Sequence, residues 1–310
     1  MNLKDKRILV TGGNGFLGRN LLKKLKQSGA REVSSPSSNE FDLRKQQDCQ
    51  KIVKHIDIIF HLAGNSGGIG YMGKNPASVF YDNVMMDTQL LHEAKNENVE
   101  KFIGLGTVCS YPKFASIPFS EEEIWDGFPD ESNAPYGISK KIMLTQSDAY
   151  RQQFGFNSIT VIPTNIYGPG DNFHIETSGV IPGIISKIFN AIEKNSDEIE
   201  LWGDGNATRD FLFVDDASDG IILAAEKYDN ASPINLGAEY EISIKDLATM
   251  ISKIMKFSGE IKWDNSKSNG QPRRCVSNKK AEKEIGFKPK TSLNDGLEQM
   301  IKWFELKKHN

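Results

Sequence analysis

The chain has 310 residues, 38% hydrophobic and 25% charged, with a formal net charge of -3. That length suits a large α/β domain plus a smaller lobe, and the near-neutral balance excludes a global basic field for nucleic acid or an anionic membrane. Three scattered cysteines (Cys49, Cys109 and Cys275) are too few for a disulfide framework or a metal site, so no metal is expected and a reducing cytoplasm fits. The opening residues, MNLKDKRILVTGG, carry no apolar h-region, and no apolar run approaches membrane length; no membrane partner is expected.

In chain order, KRILV near 6–10 reads as a short strand. It runs into Thr11-Gly12-Gly13-Asn14-Gly15-Phe16-Leu17-Gly18, which opens a helix bearing Leu17, Leu21, Leu22 and Leu25 at helical spacing, with Gly29 as its expected C-cap. Gly12, Gly15 and Gly18 make a G-x-x-G-x-x-G spacing. The first glycine permits the tight turn, the second lets backbone approach a pyrophosphate, and the third lets helix pack on strand. Thr11, Gly12, Gly15, Phe16, Leu17 and Gly18 are therefore candidate cofactor residues. After the second strand, a carboxylate would hold a ribose 2′-hydroxyl and an arginine a 2′-phosphate. The segment Val33-Ser34-Ser35-Pro36-Ser37-Ser38 has neither, which leaves NAD(H) against NADP(H) open.

DIIFHL (57–62), KFIGLG (101–106) and SITVIP (158–163) continue the strands. Strands alternating with helices predict an α/β fold with a Rossmann-type doubly wound parallel sheet. Past residue 165 the Gly/Pro-rich turns YGPGDN and WGDGNA change the rhythm, and two S-x-x-D signatures, Ser243–Asp246 and Ser292–Asp295, start late helices. RDFLFVDDASDGIILAAEK (209–227) again reads as strand then helix. The expected division is a dinucleotide-binding domain of 1–168 plus about 207–236, and a smaller C-terminal substrate-binding lobe of about 169–206 plus 237–310.

Tyr136-Gly137-Ile138-Ser139-Lys140 supplies Tyr-x-x-x-Lys. On a helix these two side chains share a face, and a nearby ammonium lowers a phenol's pKa towards working pH, making it a proton donor or acceptor. About thirty residues upstream, KFIGLG ends in Thr107-Val108-Cys109-Ser110, where a hydroxyl could bond the same substrate oxygen.

Glycine turn, strand-end hydroxyl and Tyr-x-x-x-Lys occur in the order and spacing of extended short-chain dehydrogenase/reductases, the NAD-dependent epimerase/dehydratase family, which the chain resembles. The stretches HLAGNSGGIGYMGKNP, LGTVCSYPK, APYGISKK, PTNIYGPGDNF, LWGDGNATRDFLFVDD and NGQPRR are similar to the GDP-L-fucose synthases, GDP-4-keto-6-deoxy-D-mannose 3,5-epimerase-4-reductases, over nearly the whole chain. This resemblance implies Thr107, Cys109, Tyr136 and Lys140 as catalytic residues, with Cys109 the base that removes the protons flanking the ketone. It implies a cofactor, with NADP(H) favoured and NAD(H) not excluded, that also meets Asp42, Leu43, Leu62, Ala63, Gly64, Pro163, Asn165 and Ile166. A GDP-linked sugar would meet Asn165, Val180, Lys187, Trp202, Arg209, Asn269 and Arg273, and a homodimer is implied.

The chain departs from that pattern at two positions. Thr107 replaces a serine and keeps the hydroxyl. Gly179 in Ser178-Gly179-Val180-Ile181-Pro182 replaces the histidine that serves as acid in epimerisation, and His174 is the nearest alternative imidazole. The readings carried forward are therefore an epimerase-reductase, a GDP-4-keto sugar 4-reductase without epimerisation, a nucleotide-sugar 4-epimerase and, remotely, a non-catalytic dinucleotide-binding regulatory protein. A 4,6-dehydratase resembles enzymes with Asp-Glu where this chain has Val108-Cys109.

Overall fold

The computed structural model of the protein describes residues 1–174, 177–267 and 269–308. The chain opens with β1 (Arg7–Thr11), α1 (Phe16–Leu25), β2 (Glu32–Ser34), α2 (Gln46–Ile52), β3 (Ile58–His61), α3 (Ile69–Lys74), α4 (Pro76–Asn96), β4 (Lys101–Leu105), α5 (Ala134–Phe154) and β5 (Ser158–Pro163). β3 and β5 are buried along their whole length, as expected of central parallel strands covered on both faces. There follow β6 (Asn165–Tyr167), α6 (Val180–Glu193), β7 (Glu198–Trp202), β8 (Thr208–Phe213), α7 (Val214–Lys227) and β9 (Ile234–Leu236). The chain ends with β10 (Glu241–Ser243), α8 (Ile244–Ile254), β11 (Glu260–Asp264), β12 (Arg273–Arg274), α9 (Lys279–Ile285) and α10 (Leu293–Lys308).

Six strands form one parallel sheet in the order β2-β1-β3-β4-β5-β9. This is the doubly wound α/β sheet that the alternation predicts. The order reverses at β1, and the crevice at the carboxyl ends of β1 and β3 is the switch point where such sheets bind ligands. One apolar layer joins Ile8, Val10, Phe60 and Val161 to Leu21 and Leu25 of α1 and to Ala217, Ile221 and Ala224 of α7. The opposite layer packs Leu9, Ile59 and Phe102 against Leu90, Leu91 and Met143 of α4 and α5.

Segment 207–236 divides between layers. β8 joins a second sheet with β6, β10 and β12, whereas α7 lies on α1 and β9 closes the main sheet. Behind β8, side chains of α6, α8 and α10 form a separate apolar cluster with Phe211 and Phe213. The expected caps form: Ser243 Oγ accepts from Asp246 N–H at 3.0 Å and Ser292 Oγ from Asp295 N–H at 3.1 Å. Gly29 does not cap α1, which closes on Lys26. Gly29 lies three residues further on, where its φ of 79° turns the chain towards β2. Among the described residues no helix is long and apolar enough to cross a membrane.

β8 carries a consequence for stability. Asp210 is fully buried within it, accepts from Ala238 N–H at 3.0 Å, and has no ion-pair partner among the described residues. Burial raises its carboxyl to about 7. The unfolded chain ionises this group near pH 4, so folding takes up a proton between those values. Its contribution is complete below about pH 4 and is lost as pH rises through 7. Asp210→Asn is expected to flatten the stability decline across that window and to gain about 2–4 kcal/mol at pH 8 relative to the parent. Urea unfolding from pH 4 to 8 measures this.

Candidate active site

The glycine turn is a cradle made of backbone. Gly12 has φ 72°, and a Cβ on it would stand 2.7 Å from Ala63 N, so Leu62 and Ala63 after β3 lie directly against the turn, while a Cβ on Gly64 would stand 4.0 Å from Lys140 Nζ. A Cβ on Gly18 would stand 2.2 Å from Gly12 O. α1 begins at Phe16 on a Gly15 cap with no side-chain acceptor, which leaves the positive end of the helix for a ligand. Beside the turn, the buried Ser35 Oγ finds no hydrogen-bond partner among the described residues and packs where a Gly13 side chain would be. A side-chain-free helix start and an orphaned hydroxyl fit a dinucleotide. The Asp42 carboxylate is bound by Arg44 at 2.9 Å, which holds it below the usual carboxylate range; Leu43 is buried in the core. Arg19 donates to Asn14 O (2.5 Å) and Gly170 O (2.6 Å), strapping the 168–172 loop to the turn. That strap has no local sequence signal.

At the end of β4 the chain makes a single 3-10 turn, Val108–Ser110, capped by Thr107, whose Oγ1 accepts from Cys109 N–H at 3.2 Å. α5 starts against this turn. Ser110 Oγ donates to Gly137 O at 2.9 Å, and a Cβ on Gly137 would lie 2.2 Å from Cys109 O. Only glycine allows that approach, which sets Tyr136 beside Thr107 and Cys109. The phenol lies beside the Thr107 and Ser66 side chains. Burial, then Cys109 and Asp87, raise it above the ordinary tyrosine value. The Lys140 ammonium one turn along the helix is bound to Asp87, at 2.9 and 3.0 Å. The Tyr136 hydroxyl is thus held as a phenol, a proton donor. A cavity lined by Met72, Val79, Ser132, Asn133 and Tyr136 opens beside it, and the buried Asn133 Oδ1 has no partner among the described residues.

Opposite this group, β8 brings in Arg209. It is nine-tenths buried and donates to the carbonyls of Thr208 (2.7 Å) and Asn269 (3.2 Å); no ion pair holds it among the described residues. Burial lowers its guanidinium to about 9. Asn269 Oδ1 accepts from Asp204 N–H at 3.0 Å, and the half-exposed Trp202 ring lies 3.4 Å from where a Gly70 Cβ would be. Trp202, Arg209 and Asn269 therefore gather around the start of α3. Asn165 donates from Nδ2 to Asp210 O at 2.9 Å, next to Ile166 in β6 and just after Pro163. Val180, exposed, begins α6. The other two expected cations are engaged elsewhere. Lys187 Nζ donates to Glu200 O at 2.7 Å, and Arg273 Nε binds Glu241 at 3.0 Å at the surface. Among the described residues no His, Cys, Asp or Glu group could hold a metal ion.

The model of a family described as "NAD dependent epimerase/dehydratase family" matches residues 8–237. The chain belongs to this family. A GDP-L-fucose synthase of Sinorhizobium fredii is 34% identical over 304 residues, spanning 97% of this chain and 96% of the relative. Among solved structures, a GDP-L-fucose synthetase from Naegleria fowleri bound to NADP superposes with a TM-score of 0.86 at 27% identity, over 99% of this chain and 96% of that one. MlghC, a GDP-mannoheptose C4 reductase from Campylobacter jejuni with NADP bound, gives a TM-score of 0.88 at 27% identity, over 98% and 99%. The matched span of this epimerase/dehydratase-family chain contains the glycine turn, the 3-10 turn and the start of α5 together. Gly137→Ala is expected to push α5 off that turn and lower turnover about 100-fold while circular dichroism stays unchanged. Steady-state kinetics of the variant measures this.

Proposed function

We propose that this chain is an NADP(H)-dependent reductase of a GDP-linked 4-keto-6-deoxy sugar, the GDP-L-fucose synthase-like reading. The observation that carries the reading is the buried Tyr136 hydroxyl beside Thr107 and Cys109, across from a buried guanidinium that makes no ion pair among the described residues. The names of its relatives, GDP-L-fucose synthase and GDP-mannoheptose C4 reductase, support the substrate class, and the NADP in two neighbours supports the cofactor. A bound nicotinamide supplies hydride. The chain's own residues do the rest: Thr107 holds the C4 oxygen and Tyr136 gives it a proton as the carbonyl becomes an alcohol. Arg209 meets the diphosphate and Trp202 borders the base, with Asn165, Val180 and Asn269 around the sugar and ribose. Lys187 and Arg273 reach phosphates or hydroxyls only by exchanging their present partners. A cytoplasmic homodimer rests on the resemblance alone, and the 169–206 and 237–310 segments would form the sugar side.

A specific observation favours reduction without 3,5-epimerisation. Gly179 caps α6 at φ -70° and ψ -177°, and a Cβ there would meet only Pro182, at 4.0 Å. Neither sterics nor backbone requires glycine, so the missing imidazole is a change of chemistry. His174 is exposed, and residues 175–176 after it lie outside the described residues.

Incubation with GDP-4-keto-6-deoxymannose and NADPH or NADH should oxidise the cofactor, and Tyr136→Phe should lower kcat by about 10²–10⁴. In deuterated water without cofactor, the parent should take up no deuterium at C3 or C5, and Gly179→His should gain exchange. Exchange in the parent would instead make it bifunctional. Arg209→Met should weaken GDP binding about 10- to 100-fold in calorimetry, as loss of charge-assisted hydrogen bonds to a phosphate predicts.

A further inference from the structure

Behind the phenol, a chain of buried polar groups runs from α5 to the glycine turn. Lys140 Nζ donates to both oxygens of Asp87, at 3.0 and 2.9 Å. Asp87 Oδ1 also meets His61 Nε2 at 2.8 Å, and His61 Nδ1 lies 2.7 Å from Thr11 Oγ1. Ala63 N–H donates to the same hydroxyl at 3.3 Å. Asp87 and His61 are fully buried, and Lys140 and Thr11 nearly so. Burial favours the neutral imidazole, in which one nitrogen donates and the other accepts. One assignment satisfies every group: Nε2–H donates to the carboxylate, and the Thr11 hydroxyl donates to Nδ1.

We propose that Asp87, oriented by His61, is the positioning residue that holds the Lys140 ammonium charged and aimed in its buried seat, and that Thr11 ties this unit to the glycine turn. The proposal rests on the reading of Lys140 as a member of the reacting group. A buried ammonium without a counter-ion is strongly disfavoured and gives up its proton or leaves its seat. The titratable groups facing the pair are Tyr136 from α5 and His61 from β3, with Cys109 of the 3-10 turn next to Tyr136. Asp87 is the one carboxylate in ion-pair contact with Lys140 among the described residues. His61 sets the rotamer of that carboxylate from its other side, on the central strand next to β1. The ammonium is therefore fixed relative to the turn that would receive the dinucleotide, through side chains alone.

The test is a pH series on the full chain. Lysines are labelled with 13C at Cε, and the Lys140 resonance is assigned by its absence from Lys140→Arg. In cofactor-free Asp87→Asn, Lys140 is expected to lose its proton at least one pH unit lower than in the parent. With cofactor and keto sugar, turnover of Asp87→Asn should fall about tenfold per unit across the pH range where the amine is neutral, and Asp87→Glu should keep the parent's profile. An unmoved Lys140 midpoint, or an Asp87→Asn profile parallel to the parent's, would overturn the proposal and leave Asp87 a packing residue. The resonance reports even if the sugar is misassigned, so failure of the substrate reading and failure of this one are told apart. If Asp87→Asn does not fold, the double variant with Lys140→Met should, because the unpaired ammonium is the cause; an equally unfolded double variant would also overturn it.

Discussion

The buried ion pair between Lys140 and Asp87 is the contact on which the rest of the site depends. Two charges in a dry interior are tolerated only when hydrogen bonds satisfy their remaining atoms. Here that need draws in β3 through His61 and β1 through Thr11, so two helices and two central strands must keep register for the pair to exist. The glycine turn leaves β1 at Thr11, and Tyr136 stands one helical turn before Lys140. A single electrostatic requirement thus links the glycine turn to the start of α5 that carries Tyr136. Gly137 then brings the donor against the β4 end, because no side chain intervenes between α5 and the Cys109 carbonyl.

The two buried cations of the site are treated in opposite ways. Lys140 is neutralised by a carboxylate, and Tyr136 next to it remains a phenol under the influence of burial, Cys109 and Asp87. Among the described residues Arg209 has carbonyl partners and no ion pair, and burial already weakens its hold on its proton. A guanidinium kept in that condition gains most from an anion of phosphate type, with which it forms paired, charge-assisted hydrogen bonds. The contrast separates the Tyr136 side, where charge is balanced within the protein, from the Arg209 side, where no ion pair balances it among the described residues; in the proposed reading these are the catalytic and recognition sides. The two sides come from different sheets and meet over the start of α3, whose glycines let Trp202 and the 177–178 segment approach.

Features encoded by local spacing were legible in the sequence. The doubly wound sheet followed from alternating strand and helix patterns, and the glycine turn and Tyr136–Lys140 follow from three- and four-residue intervals that geometry makes meaningful. Arg209 was legible because a cation entering an apolar strand needs a partner. Features made by long-range packing were not. Asp87 lies mid-helix among ordinary polar residues, and His61 reads as one more residue of an apolar strand; only the folded sheet puts them together. Ser66 and Asn133 are likewise silent until the loops close on Tyr136. Gly29 was misplaced because α1 stops three residues earlier; which sheet β8 joins is not encoded in its run, which looks the same in either.

The central claim is hydride delivery to C4 of a nucleotide-linked keto sugar with Tyr136 supplying the proton. The most direct measurement uses NADPH carrying deuterium at the transferable position of the nicotinamide, with GDP-4-keto-6-deoxymannose, and locates the label in the product by NMR. Deuterium at C4 in one configuration, delivered about 10²–10⁴ times more slowly with Tyr136→Phe, is the predicted result. A bound nucleotide sugar with no label at C4, or label transfer that survives loss of the phenol undiminished, would contradict it.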